Sequence, residues 1–216
     1  MKTRKGNKVY PLTAAQNLHF YCLKYCPAKQ VLNIGSSLTI QVDLNWDVLR
    51  ECIKEAIDRC EAMRLRFAED KDGTVYQYVV RQDDSVIEQF DFTGWTQEEA
   101  DAKMREWTET PFARYDSPMH RIVIIKMPDG FQGIYIAVDH MTMDAQSLIL
   151  FFRDIIELYA SRMYEGIDYP KPMSSYLKQL TKDLEYEAGS KASQKDPDSF
   201  QEPVHASEPI SPAQPS

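Results

Sequence analysis

Two ionisable side chains stand four residues apart in VDHMTMDAQS, residues 138 to 147: His140 and Asp144. An imidazole has a free pKa of about 6.5, so His140 can accept or donate a proton near neutrality. Asp144 opens an apolar run of helical period, and its carboxylate could equally cap that helix, a contact worth about 1 kcal/mol. Spacing alone leaves both readings open. The preceding run, GIYIAVDH, alternates Ile134, Ile136 and Val138 against Tyr135, Ala137 and Asp139. That period is a strand's, and it brings His140 to the strand's edge, where its ring can project into a cleft.

The elements that must position this junction are marked along the chain. TAAQ, 13 to 16, is a capping box, and the helix it opens ends before Pro27. NIGSSLTIQVD, 33 to 43, alternates like a half-buried strand with Leu38, Ile40 and Val42 on one side. Behind a cap at Asn45, Leu49, Cys52, Ile53, Ala56, Ile57 and Cys60 recur at helical steps. RLRFAED and TVYQYVV flank KDG as a hairpin closing at Gly73, and VIEQFDF, 86 to 92, adds a strand. TQEE, 96 to 99, is a second capping box; a last hairpin joins RIVIIKM to QGIYIAVDH across PDG, 128 to 130. The helix after Asp144 is apolar on most sides and is expected to be largely buried. Helices interleaved with mainly antiparallel hairpins make an α/β sandwich, a mixed sheet covered by helices.

Charge and composition exclude several classes of partner. The formal net charge is -8, and the only cationic cluster is Lys2, Arg4, Lys5 and Lys8 in a basic arm over residues 1–8. Nucleic acid is therefore not an expected partner. No apolar run approaches the roughly 20 residues that span a bilayer, and no apolar segment follows the N-terminal charges, so no membrane association is expected and a cytoplasmic location is. Cys22, Cys26, Cys52 and Cys60 are read as free thiols in helices rather than metal ligands. From about Glu185 the chain turns polar and holds five of its twelve prolines. Such a stretch buries too little apolar surface to offset its ordering entropy, and residues 193–216 are expected to be a disordered Pro/Ser-rich tail behind a folded body of residues 9–192.

YPLTAAQ, RCEAMRLRF and DHMTMDAQS, in this order and at these intervals, resemble the condensation domains of nonribosomal peptide synthetases. Their counterparts there look like PLSPAQ, RHEALRTRF and HHxxxDG, and TPFARYDSPMHRIVIIKM is similar to the family segment ending PLLRVRL. The resemblance implies a chloramphenicol-acetyltransferase-like sandwich. It implies a reaction in which an amine attacks a carrier-bound acyl thioester to make an amide, with no bound cofactor and with substrates carried on phosphopantetheine arms. His140 matches the motif's second histidine, the one at the reaction centre, and Asp144 matches the motif aspartate. In the family that aspartate pairs with an arginine matching Arg64; Arg66 is the less favoured partner, lying on the same face but farther along. This chain departs from the pattern twice: Asp139 stands where the first histidine would be, and Ala145 replaces the glycine. Because a thioester is already activated, neither Ser147 nor a thiol is needed as nucleophile.

The family's domain has two lobes with the reacting histidine between them, and this chain resembles the N-terminal one. The expected partners are a second lobe and peptidyl or acyl carrier domains, with an uncovered lobe-facing surface through which copies could pair as a homodimer. A lone lobe, with its half-tunnel open to water, is expected to be weakly active or inactive, a truncated or excised piece of the domain. Two other readings stay open: acyl-CoA-dependent transfer or epimerisation on the same HxxxD, and a non-catalytic interaction remnant. Elsewhere, His19 is read as a core or boundary residue, His120 as bonding backbone, His205 as a tail residue, and Trp46, Trp95 and Trp107 as packing.

Overall fold

The structure, a computed structural model, describes residues 3–194. A small hairpin of β1 (Thr3–Arg4) and β2 (Asn7–Lys8) precedes β3 (Tyr10–Pro11) and α1 (Ala14–Tyr25). There follow β4 (Asn33–Ile40), α2 (Trp46–Arg59), β5 (Leu65–Glu69), β6 (Val75–Val79), β7 (Ile87–Asp91) and α3 (Gln97–Glu109). The chain then forms β8 (His120–Lys126), β9 (Gln132–Asp139), α4 (Ala145–Met163) and α5 (Tyr176–Gln194).

Local chemistry accounts for most of these boundaries. Thr13 and Thr96 each close a reciprocal capping box, with Gln16 and Glu99 as third residues. The β5–β6 and β8–β9 hairpins turn at Gly73 and Gly130, whose φ values of +83° and +86° favour a residue without Cβ. α5 runs to Gln194, past the point where sequence alone expects order to end, and residues 195–216 of the expected tail, with His205, lie outside the described residues.

A four-stranded sheet, ordered β4-β9-β8-β7, forms the centre; its pairs are antiparallel except β7 with β8. Every residue of β9 is buried, because helices cover both faces. On one face Ile122, Ile124, Ile134, Ile136 and Val138 pack against α2 and α4. On the other, Val123, Ile125, Tyr135 and Ala137 pack with Phe92, Ala100 and Trp107. α3 approaches β4 at Gly35, where an added Cβ would lie 2.1 Å from Thr108 Oγ1. A second sheet, β3-β6-β5, shares a core with α1 through Leu12, Leu23, Leu65, Phe67, Met119 and Met141. That third core joins α1 to the segment just after His140.

Two burial expectations need correction. β4 is an edge strand paired only with β9, and its Leu38 and Ile40 are exposed, as is Val42 beyond its end. α4 buries one face, through Leu148, Phe151, Phe152, Ile155, Leu158 and Tyr159, but leaves Ile149 67% and Ile156 47% exposed. Among the described residues, its apolar excess is not consumed by the core. No helix among the described residues is long and apolar enough to cross a membrane.

Candidate active site

β9 ends at Asp139, and the turn into α4 is built from that residue. Its backbone N–H donates to the Met119 carbonyl at 3.0 Å, and its carbonyl accepts from Thr142 N–H and Thr142 Oγ1 at 2.9 and 2.8 Å. Its carboxylate accepts the Met141 N–H at 2.8 Å, an aspartate turn in which the side chain substitutes for backbone. Asp139 is 1% exposed, and burial pushes its carboxyl above the ordinary range, against the opposing hydrogen bond from Met141. His140 is held by its own N–H, which donates to the Leu32 carbonyl at 2.9 Å, while its ring is half-buried. The ring thus projects from a turn fixed on both sides by backbone.

α1 supplies the other wall. Gln16, His19, Phe20 and Leu23 fall at positions i, i+3, i+4 and i+7, the inward stripe of that helix. Buried Gln16 donates from Nε2 to Gln77 Oε1, to Tyr176 Oη and to the Met141 carbonyl at 2.9, 3.0 and 3.2 Å. One turn on, the His19 ring meets the His140 ring, with centroids 4.9 Å apart and planes tilted by 48°. Burial lowers the His19 pKa and the nearby His140 lowers it further, while Asp139 works the other way. Half-buried, His19 is the boundary residue the sequence suggests, and its ring also lies against that of His140. Its i, i+3 spacing from Gln16 was the available signal.

The expected Arg64–Asp144 pair does not form. Asp144 is exposed and caps α4, accepting the Ser147 N–H at 2.7 Å, and hydrogen bonding to Ser147 holds its carboxyl below the usual range. Arg64 Nη1 donates instead to the Val80 and Arg81 carbonyls at 2.6 and 3.2 Å, tying β5 to the end of β6. Backbone carbonyls engage Nη1 of Arg64, leaving its buried Nε without a partner, and a backbone N–H engages Asp144, so neither side chain turns to the other. Ala145 is simply the first, exposed residue of α4. Arg64→Ala and Asp144→Ala are therefore expected to be additive within about 0.3–0.5 kcal/mol in urea unfolding, with Asp144→Ala costing about 1 kcal/mol as a lost cap. A coupling above 1 kcal/mol would restore the pair.

A buried ionic cluster lies where Arg66 was set aside. Arg66 Nη2 pairs with Asp83 Oδ2, and Ser85 Oγ donates to Asp83 Oδ1. His120 Nε2 lies 2.9 Å from Ser85 Oγ and 3.6 Å from Asp83 Oδ1. His120 thus bonds side chains, not only backbone. Although Ser, His and Asp meet here, the carboxylate engages the serine hydroxyl directly rather than orienting the imidazole from behind, so this is no acyl-transfer triad. Its members come from β5, the β6–β7 connection and β8. That separation hid it from sequence reasoning.

Other candidates sort simply. Cys52 and Cys60 are buried, and burial raises both thiols, the reverse of an activated nucleophile. Cys22 is exposed and Cys26 half-buried. Among the described residues no group of three or more histidine, cysteine or acidic side chains is placed to hold a metal ion. A cleft of about 690 Å³ between α4 and the segment before α5 takes in Met143 and Ser147 but not His140.

Comparison with known proteins bears on the fold. A family model described as Condensation domain matches residues 6–198. Surfactin synthase subunit 1 of Bacillus subtilis (strain 168) is 28% identical over 200 residues, covering 87% of this chain and 5% of that protein. Among solved structures, a variant starter condensation domain of rhizomide synthetase RzmA in complex with C8-CoA superposes with TM-score 0.76 at 22% identity, covering 87% of this chain and 43% of that one. The first condensation domain of the calcium-dependent antibiotic synthetase, in complex with a substrate analogue, gives TM-score 0.72 at 22% identity, covering 84% and 45%. The fold is the chloramphenicol-acetyltransferase-like α/β sandwich implied by the sequence motifs. This chain spans a small part of the curated relative it matches and under half of these solved chains.

Proposed function

The chain belongs to the condensation-domain family, as an N-terminal lobe, and from that premise we propose that it forms an amide bond once joined to its second lobe. The amine nitrogen attacks the thioester carbonyl carbon, the C–S bond breaks, and the amine's proton leaves with the departing thiol. His140 orients the amine and takes its proton, or hydrogen-bonds the tetrahedral intermediate. Asp139 shapes the turn beneath it, and Asp144 fixes the start of α4. The observation that carries this reading is the half-buried His140 ring, presented by a turn with backbone hydrogen bonds on both sides.

The substrates arrive on phosphopantetheine arms of carrier domains, which hold donor and acceptor in line, and no cofactor is bound. The exposed apolar side chains of α4 and β4 favour a partner surface, met by the second lobe or, without it, by a second copy of the chain. The reaction is placed in the cytoplasm. Neither nucleic acid nor a membrane takes part.

A second reading, in which the donor is free acyl-CoA, draws on the C8-CoA held by the starter condensation domain. The test supplies the completed two-lobe domain with one acyl group, either on a carrier or as its CoA thioester, together with a carrier-bound aminoacyl acceptor. Faster amide formation from the carrier thioester is the expected result. Faster formation from acyl-CoA would establish the second reading, and no amide from either would make this a non-catalytic module.

A further inference from the structure

We propose that His19 is a positioning residue for His140: the α1 imidazole bears on the His140 ring, fixes its facing, and makes the site a two-imidazole pair rather than a lone histidine. The inference rests on the reading of His140 as the reacting group.

The contact is anchored, not incidental. Thr13 and Gln16 lock the first turn of α1 in a capping box, and Gln16 also binds the Met141 carbonyl, one residue after His140. The same helix turn and the same loop are therefore tied together on one side and meet ring to ring, at 4.9 Å, on the other. Both rings are half-buried, so each keeps an edge accessible. A leucine would fill that place on the inward stripe equally well as packing. An imidazole adds what a leucine lacks, a titratable neighbour for the reacting ring.

Like charges at this separation disfavour each other, so a charged His140 opposes charging of His19. The charged groups facing it are Asp139 beneath the turn, which favours a cation, Asp144 at the head of α4, and Arg114, whose Nη1 lies 4.0 Å from Met141 Sδ and which acts on Asp139. Burial and His140 together hold His19 toward its neutral form, against Asp139. A neutral second imidazole suits a site where an amine must lose its own positive charge before it can attack.

The test begins with histidine-ring NMR on the chain, which holds four histidines. In His140→Gln the His19 titration midpoint is expected to rise toward the ordinary value of about 6.5. A midpoint that stays where it is overturns the proposal. In the completed domain, His19→Phe preserves an aromatic contact but removes both nitrogens; kcat should fall, by up to about 100-fold for a misplaced reacting group, with KM little changed. The acid limb of the kcat/KM profile should also be displaced, whereas a profile superimposable on wild type overturns the proposal. The two readings fail separately. Amide formation indifferent to His140 sinks the proposed reaction, while a His19 midpoint indifferent to His140 sinks this inference whatever the amide assay shows.

Discussion

Asp83→Ala is expected to destabilise the fold by about 3–5 kcal/mol, the cost of stranding one member of a buried ion pair. The Arg66 and Asp83 side chains are only 3% and 5% exposed. Without the carboxylate, Arg66 retains the Leu65 and Met63 carbonyls at 2.9 and 3.3 Å, and Asp84 at 3.8 Å is itself 90% exposed. The same substitution leaves Ser85 and buried His120 without their shared acceptor. Burial works to raise the Asp83 pKa, but hydrogen bonds from His120, Ser85 and Arg66 outweigh it and hold the carboxyl well below the usual range. A depressed folded pKa contributes stability that is fully present above the unfolded value, about 3.9, and is lost as pH falls below it toward the folded value. Urea unfolding should therefore show a wide gap between wild type and Asp83→Asn at about pH 7, narrowing at about pH 2. Equal gaps at both would remove the ionised state of Asp83 from the stability of the fold.

That cluster also marks the limit of what the sequence discloses. Capping boxes at Thr13 and Thr96 and the turns at Gly73 and Gly130 were legible because each is settled within four residues. The unbroken apolar run from Ile134 to Val138 was legible because β9 buries both faces. Which carboxylate an arginine meets is a tertiary matter. Arg64 found backbone carbonyls, and Arg66 found a partner 17 residues away. The contact of His19 with His140 was hidden differently: on α1 a residue packed in the core and one that meets the His140 ring occupy the same inward stripe, so periodicity cannot separate them. Asp139 was visible as a departure from the family motif, and its type already favoured the turn it makes. The apolar surplus of α4 was legible, but not which side of the helix would be buried, since that depends on how α4 packs against the sheet.

His140→Ala is expected to lower kcat for amide formation by the completed domain about 10²–10⁴-fold, the usual contribution of a positioned acid or base. The loss should fall on kcat rather than KM. In the proposed reaction the carriers would hold donor and acceptor, whereas the imidazole would act most as the tetrahedral intermediate forms. The fold should survive the change. The bond from the residue 140 N–H to the Leu32 carbonyl is backbone to backbone, and the Asp139 turn does not involve the ring. A circular dichroism melt close to that of wild type would separate lost chemistry from lost structure.

The decisive measurement is single-turnover amide formation, followed by mass spectrometry of the acceptor carrier, with both carriers preloaded and the domain in excess. Wild type should convert the acceptor to the amide, and His140→Ala should do so at least about 100-fold more slowly at equal carrier loading. Equal rates would place the reacting group elsewhere and leave the imidazole at the end of β9 without a part in the chemistry.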